Sequence, residues 1–459
     1  MNTPENLLVQ FMEFSSKHLI GGGMGSWDFY GEDVNEFTHG IHLYPAKLNP
    51  HVAKRLIKLY ASNSNAIWDP FCGSGTTLVE GRLAGLDVFG NDINPIALQI
   101  SIAKTQDYDI ADVSDLVASI IKALADVNLL PIKKAIKKSG FTEEKILDWF
   151  AAINVQEIST AFHQIEILSK THKSQSNSKQ FVRICLSDCI RKVSFQRDGE
   201  WKLYRVEDWR DGKDDETLYV PLFPLLIKKM ESNLESLVKY SDNIKTSETK
   251  AQTGYKIIKN DCAKSIRKMK KYVKGFDLVI TSPPYGDSPT TMAYEQFSWL
   301  PNVWLGLDKR SPGKLAKEML GGVLAKTVLP FGYGTIDKAI SKIIAREKED
   351  RSIKDQAKLT KELQLKNYSF YRDYLKSIKN IASLVNPDGY VCFILGNRIS
   401  GGQEMRLDLF TDWAFKKYGF KKVGKTKKRN IPNTRMPKSN PSGSTMNHEY
   451  IVVLRKTSD

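Results

Sequence analysis

Two short stretches of this chain carry residue types that chemistry needs. The first is Asp69-Pro70-Phe71-Cys72-Gly73-Ser74-Gly75-Thr76-Thr77, directly behind the apolar run Ala66-Ile67-Trp68. Glycines there let the backbone turn sharply and let a ligand come close to it at the N-terminus of the next helix. A triphosphate cradle would end in Gly-Lys-Ser/Thr, and no lysine is present, so nucleoside triphosphate binding is disfavoured. The dinucleotide pattern GxGxxG is incomplete too, because Leu78 stands three residues after Gly75. An acid, Asp92, ends the next apolar run, at the distance where an NAD-type fold places the carboxylate that accepts from two ribose hydroxyls. The second stretch is TSPPYGDS, residues 281–288, behind Phe276-Asp277-Leu278-Val279-Ile280. It ends a buried strand in two stiff rings, a tyrosine and a glycine.

These stretches need a frame. Residues 51–60, HVAKRLIKLY, have helical periodicity. Residues 66–71 predict a short buried strand, LVEGRLAG a helix, 86–90 a second strand, and Pro95 the first turn of a further helix through IALQISIAK. This β-turn-α-β-α order opens a doubly wound α/β sheet. Strand signals return at 255–262 and 276–280. A helix then covers YRDYLKSIKNIASLV, a Pro-Asp-Gly turn follows at 387–389, and strands at 390–397 and 448–456 complete the set. Between them, 105–250 predicts an inserted, mainly helical region, with a hairpin-like alternation around Asp198-Gly199. A Lys-rich polar stretch at 306–366 predicts a second insertion. The catalytic domain is therefore expected to be discontinuous, 1–104 with 251–459.

DPFCGSGTT resembles the S-adenosylmethionine loop of amino-methylating DNA methyltransferases, and TSPPY resembles their catalytic motif, Asn/Asp/Ser-Pro-Pro-aromatic. The resemblance extends through HLYPAK at 42–47 to KLYR at 202–205, TSPPYGDSPTTMAYEQFSWL and RNIPNTRMP at 429–437. It implies a Rossmann-like methyltransferase sheet with helices on both faces. It also implies cofactor contacts from Tyr44, Pro45, Asp69, Phe71, Gly73, Gly75, Thr76, Asp92 and Asp261, the last at the adenine amino group.

Ser282, Pro283, Pro284 and Tyr285 would carry the catalysis. An exocyclic amino group is a poor nucleophile, because its lone pair is delocalised into the ring. Acceptors for its two N–H bonds turn the nitrogen toward sp³ geometry. The Ser282 hydroxyl and the Pro283 carbonyl would be those acceptors, with the prolines holding the carbonyl's direction. Tyr285 would offer a ring face to a base flipped out of the duplex.

In the family, Ser-Pro-Pro-Tyr goes mostly with cytosine N4 and Asp-Pro-Pro-Tyr with adenine N6. Ser282 favours cytosine N4, in a subgroup that partners restriction endonucleases in the prokaryotic cytoplasm. Adenine-N6 methylation, RNA amino-group methylation and a binding module without catalysis stay open as alternatives. Cytosine C5 methylation needs a Pro-Cys nucleophile, and the chain has none. Asp287 and Ser288 are substrate-binding candidates, as are Arg429 and Arg435, which with Lys438 suit guanine edges or phosphate. Asn397 and Arg398 are further candidates at a strand end.

Composition agrees with a DNA partner. A formal net charge of +16 favours a polyanion, and basic stretches at 267–272 and 416–429 are interleaved with aromatics. Five cysteines without a CxxC pair suggest a reduced protein without disulfides, and Cys185 with Cys189 are too few for a metal site, so no metal is expected. The acidic N-terminal stretch predicts no secretion signal, and no apolar run is long enough to cross a bilayer.

Overall fold

The apolar runs become one sheet, in a computed structural model that describes residues 26–171, 175–206, 219–246, 253–288, 291–345, 352–431 and 446–458. Its strands are β1 Ala66–Asp69, β2 Asp87–Asp92, β3 Tyr255–Lys259, β4 Phe276–Thr281 and β5 Val385–Gly396, then β8 Phe420–Lys422, β9 Lys427–Asn430 and β10 His448–Lys456. Two short strands between these, β6 Arg398–Ser400 and β7 Gln403–Met405, pair as a separate ribbon. The main order is β3-β2-β1-β4-β5-β10-β8, with β9 also on β10. β1 to β5 are parallel, and β10 runs antiparallel to β5.

The chain leaves β1 toward β2 and β3, then returns to place β4 on the other side of β1. That reversal opens a crevice at the carboxyl ends of β1 and β4, the general ligand position in such sheets. Both chemical stretches of the sequence emerge there.

Helices cover both faces. The longer ones are α1 Pro50–Tyr60, α2 Thr76–Leu83, α3 Pro95–Thr105, α4 Ile110–Ala125, α5 Ala152–Leu168, α6 Gln175–Ile190, α7 Leu222–Thr246, α8 Tyr294–Trp304, α9 Ile353–Ala382 and α10 Leu407–Lys416. Side chains alternate along β4, so Leu278 and Ile280 join one core with Ile67 and Val88. Val279 joins the other core, with Trp68, Tyr374 and Phe410. Parallel strands buried on both faces read as unbroken apolar runs, which is why they stood out in the sequence.

The described residues between 105 and 250 are mostly helical. α4 to α7 bury Val113, Leu116, Ile120, Ile158, Phe181 and Leu226 against one another. The predicted hairpin around Asp198-Gly199 is reduced to a single antiparallel bridge, Gln196 with Arg205.

Two boundaries differ from the sequence reading. The Pro-Asp-Gly turn does not precede the strand but lies inside β5. Phe276 pairs with Val385 and Leu278 with Tyr390, so residues 386–389 bulge out between the two pairs, and Asp388 takes φ +62°. The helix expected over YRDYLKSIKNIASLV is α9, 30 residues long, and it begins far back inside the second insertion.

α2 lies close on the sheet because Gly81 faces it. A methyl group at Gly81 would sit 2.7 Å from Ile67 Cγ2 and 2.7 Å from Val88 Cγ1. Overpacking of this kind costs about 1–3 kcal/mol. Gly81→Ala is therefore expected to lower stability by that amount in urea titrations with an unchanged m-value. Wild-type stability in this variant would show that α2 can lift freely from β1 and β2.

Candidate active site

The cleft at the sheet's carboxyl edge has a volume of about 970 Å³, counting its solvent-open part. The loop after β1 forms its floor. Gly73 and Gly75 take φ +48° and +85°, backbone that L side chains rarely adopt. Gly75 stands as N-cap of α2, and a Cβ there would lie 2.8 Å from Ser101 Cβ. A Cβ at Gly73 would fill space 3.5 Å from the Tyr44 ring, so the cradle between loop and ring exists because residue 73 has no side chain.

Asp92 ends β2 beside this loop. Its Oδ2 accepts from the Gly73 amide at 3.0 Å and its Oδ1 from the Asn94 amide at 2.8 Å. Burial raises its carboxyl, and these amides offset part of the shift. Each carboxylate oxygen keeps a second lone pair for hydroxyls in the cleft. Asn91, one residue earlier, was not singled out by the sequence reading. It accepts from Trp68 Nε1 at 2.8 Å and donates to the carbonyls of Pro70 at 2.9 Å and Asn260 at 3.3 Å. One buried amide thus fixes the ends of β1, β2 and β3 together.

Asp261 reaches the same cleft after β3. Its carboxylate accepts from the Ala263 amide at 2.9 Å and pairs with Lys264 at 3.2 Å. Tyr44 and Pro45 line the opposite wall, where the Tyr44 ring stacks on Tyr294 at 6.0 Å and its hydroxyl accepts from Asn94 Nδ2 at 3.2 Å. Phe71 and Thr76 line the cleft as well.

The helical region holds the HLYPAK segment in place. His42 Nε2 lies 2.9 Å from Ser187 Oγ, the Leu43 amide donates to Asp188 at 2.7 Å, and Asn233 Nδ2 donates to the Ile41 carbonyl at 2.9 Å. Burial holds His42 down at about 4, so the ring is neutral near pH 7. Burial alone would raise Asp188, but the Lys229 ammonium and the Leu43 amide hold it below the usual range.

The second insertion also reaches the cleft, through Glu318, Met319 and Leu320. Neither contribution carried a signal in the sequence. Both regions are polar or helical with no motif, and their partners are far away along the chain.

Asp69 joins the two chemical stretches. Its Oδ1 accepts from Thr281 Oγ1 at 2.6 Å and from the Phe71 amide at 3.1 Å. Expected to meet the cofactor, Asp69 lines the cleft but also ties the end of β1 to the residue before Ser282. Ser282 and Pro284 line the cleft, and Pro283 is buried beside them.

Tyr285 does not line the cleft. A Cβ on Gly396 would lie 2.5 Å from Tyr285 Cδ2, so the ring rests against β5. Its hydroxyl lies 2.9 Å from Ser282 Oγ and donates to Glu449 Oε1 at 2.8 Å. The ring is half-buried, and the hydroxyl is committed to these two partners.

Arg429 departs from the exposed position expected of it. It is 5% exposed and donates to Glu449 Oε2 at 2.8 Å, so it is committed inside the protein rather than free to read DNA. Asp287 is buried too and pairs with Arg398 at 3.0 Å. Arg398 also donates to Asn367 on α9 at 2.7 Å, which clamps the loop after the motif onto the long helix. Ser288 lines the cleft, and its hydroxyl lies within bonding distance of the Glu295 carboxyl and, at 2.9 Å, of the Met292 carbonyl, the work of a turn. Asn397 accepts from the Asp408 amide at 3.3 Å, at the start of α10. Arg435 and Lys438 lie outside the described residues.

Cys72 is buried below the loop, and burial pushes its thiol well above the ordinary range, which leaves it a poor nucleophile. Cys185 and Cys189 sit in the helical core, with Cys185 Sγ accepting from Asn233 at 3.3 Å. Among the described residues, no group of three or more His, Cys, Asp or Glu could hold a metal.

A glycine loop against an aromatic wall, acids at the ends of β2 and β3, and a helix N-terminus fit an adenosine-bearing amino acid such as S-adenosylmethionine. A family model described as DNA methylase matches residues 24–103. The Type II methyltransferase M.MvaI of Kocuria varians is 30% identical over 454 residues, 93% of each chain. M.BsoBI of Geobacillus stearothermophilus is 24% identical over 317 residues, 63% of this chain and 57% of that one. M.MjaII of Methanocaldococcus jannaschii is 37% identical over 89 residues, 18% and 17% of the two chains.

Burial raises the Asp69 carboxyl to about 6, and the Thr281 bond recovers only part of the shift. The folded chain therefore favours the protonated acid. That stabilisation is complete below about 3.8 and is lost as pH rises through about 6. Glu80, raised to about 7 by burial, acts in the same direction, so a difference measurement is needed. The melting temperature of the wild type minus that of Asp69→Asn, without cofactor, is expected to fall between pH 4 and 7. A flat difference would remove Asp69 as the titrating group.

Proposed function

Since this chain belongs to the amino-methylating DNA methyltransferase family, we propose that its target is the N4 amino group of cytosine in double-stranded DNA. The observation that carries this reading is Ser282 at the head of the motif, in the cleft beside the Asp92 and Gly73 cradle. S-adenosylmethionine is the cofactor, and when bound it supplies an electrophilic methyl group on a positively charged sulfur.

The protein's own residues do the rest. Asp92 takes the ribose hydroxyls and Asp261 the adenine amino group. Tyr44, Pro45 and the loop from Phe71 to Thr76 enclose the amino acid end. The cytosine leaves the stack to reach the cleft. Ser282 Oγ and the Pro283 carbonyl accept its two N–H bonds and aim the nitrogen lone pair at the methyl group. Transfer is direct and in line, with no covalent bond to the enzyme.

The segment 306–366 is the element that recognises the target sequence. It borders the cleft through Glu318 to Leu320, and α9, which begins within it, holds the motif loop through Asn367 and Arg398. Exposed Lys421, Lys425, Lys427 and Lys428 on the β8–β9 side suit the phosphate backbone. A cognate restriction endonuclease in a prokaryotic cytoplasm is the functional partner.

The test is mass spectrometry of nucleosides from DNA incubated with the protein and S-adenosylmethionine. N4-methylcytosine is the expected product. N6-methyladenine would overturn the base assignment and keep the family. Asp92→Ala is expected to raise the cofactor dissociation constant about 10- to 100-fold, the worth of charge-assisted hydrogen bonds. An unchanged constant, by calorimetry, would remove Asp92 from the ribose role.

A further inference from the structure

Behind Ser282 runs a line of hydrogen bonds that passes through Glu449 on β10, a residue in none of the motifs. Ser282 Oγ lies 2.9 Å from Tyr285 Oη, which donates to Glu449 Oε1 at 2.8 Å, and Glu449 Oε2 accepts from Arg429 Nη1 at 2.8 Å. Glu449 sits on β10, 164 residues from Tyr285. Burial, and then the neighbouring Glu449 carboxylate, push the Tyr285 phenol well above its ordinary range, so it is a neutral donor. A phenol has one proton, and that proton is committed to Glu449. The proton on the bond between Ser282 and Tyr285 is therefore the serine's own. With its hydrogen directed backward, Ser282 Oγ presents only lone pairs forward, which is what an acceptor for an amino N–H must do.

We propose that Glu449, anchored by Arg429, is a positioning residue for methyl transfer that fixes Ser282 as an acceptor and receives the proton the amine releases. This rests on the reading of Ser282 as the acceptor in the motif. As the nitrogen lone pair forms its bond to the methyl carbon, the bond from that carbon to sulfur breaks and leaves its electron pair on sulfur. The nitrogen then sheds one proton to Ser282 Oγ. In the same motion the serine proton passes to Tyr285 Oη and the tyrosine proton to Glu449 Oε1. Serine and tyrosine end as they began, no tyrosinate forms, and Glu449 holds the proton. Its side chain is 16% exposed, which gives that proton a way to solvent.

Two features of the surroundings serve this arrangement. Gly396 leaves room for the Tyr285 ring, since any Cβ would meet both that ring and Met446 Sδ, 2.0 Å away. Arg429 is turned inward on a strand whose flanking Lys428 and Asn430 are exposed, so the alternation of β9 delivers a guanidinium to Glu449.

The experiment measures single-turnover methylation of unmodified plasmid DNA by Glu449→Gln, Tyr285→Phe, the double variant and Ser282→Ala. Glutamine keeps the shape and can accept from Tyr285, but is far less basic than a carboxylate. Both single variants are expected to slow methyl transfer about 10- to 100-fold, near the lower range of proton-transfer catalysis. Dissociation constants for S-adenosylmethionine and DNA should stay within about twofold in the same preparations. The double variant should be no slower than the slower single variant, because both interrupt one line. Wild-type rates in Glu449→Gln, or losses that multiply in the double variant, would overturn the proposal. Ser282→Ala separates the two layers of the argument. A full rate there would overturn the reading of the motif itself, whereas a loss there beside a normal Glu449→Gln would overturn only the role of Glu449.

Discussion

The site depends on one buried hydrogen bond, from Thr281 Oγ1 to Asp69 Oδ1 at 2.6 Å. A carboxyl group out of contact with water is costly unless its oxygens are bonded. Here the partner is the last residue of β4, so the ends of β1 and β4 hold a fixed spacing. The glycine loop begins one residue after Asp69 and the Ser-Pro-Pro-Tyr stretch one residue after Thr281. Methyl transfer needs donor and acceptor held to a fraction of an ångström. Asn91 extends the same logic sideways, with its one amide bonding to β1 and to the loops after β1 and β3. The crevice is a set of strand ends clamped together by short polar side chains, with the apolar runs behind them giving rigidity.

The helical region from 105 to 250 takes part in this clamp. Asp188 and Asn233 reach out of it to hold the backbone at Leu43 and Ile41, directly before Tyr44. Tyr44 is the wall against which the Gly73 cradle forms. A change in the packing of α6 or α7 is therefore felt at the cleft, although neither helix lines it. Arg398 plays the corresponding part for the second insertion, with one hand on Asp287 and the other on Asn367.

How much of this was legible in the sequence follows from the range of each interaction. The parallel strands, the loop Gly73 to Thr77, Asp92 and the Ser-Pro-Pro-Tyr stretch are local features. Their periodicity, glycines and spacing are properties of ten or twenty consecutive residues, and Gly73, Thr76, Asp92, Ser282 and Pro284 line one cleft. Glu449, Asp188 and Glu318 to Leu320 were not legible, because their significance lies in partners distant along the chain, 164 residues for Glu449 with Tyr285 and 145 for Asp188 with Leu43, and their own surroundings have no pattern. Arg429 was misread for a related reason. It stands in a run of lysines that looks like a uniformly solvated basic face, whereas on β9 it alone is buried, against Glu449. The Pro-Asp-Gly turn was read correctly as a turn but wrongly as a boundary, since local chemistry does not reveal that pairing resumes on both sides of a bulge.

The position of β10 has a consequence for biosynthesis. β10 lies between β5 and β8, pairs with β5 at seven consecutive positions from Glu449 to Arg455, and is translated after every other strand of the sheet. While the ribosome is still making the segment after β5, the cradle, the acids and the Ser-Pro-Pro-Tyr loop already exist as chain, but β5 presents an open edge and Tyr285 has no carboxylate to bond. Such an edge invites other strands to pair with it. The nascent protein is thus most open to unwanted pairing while β10 is still unmade, and the same strand covers the edge of β5 and brings Glu449 to Tyr285 when it docks.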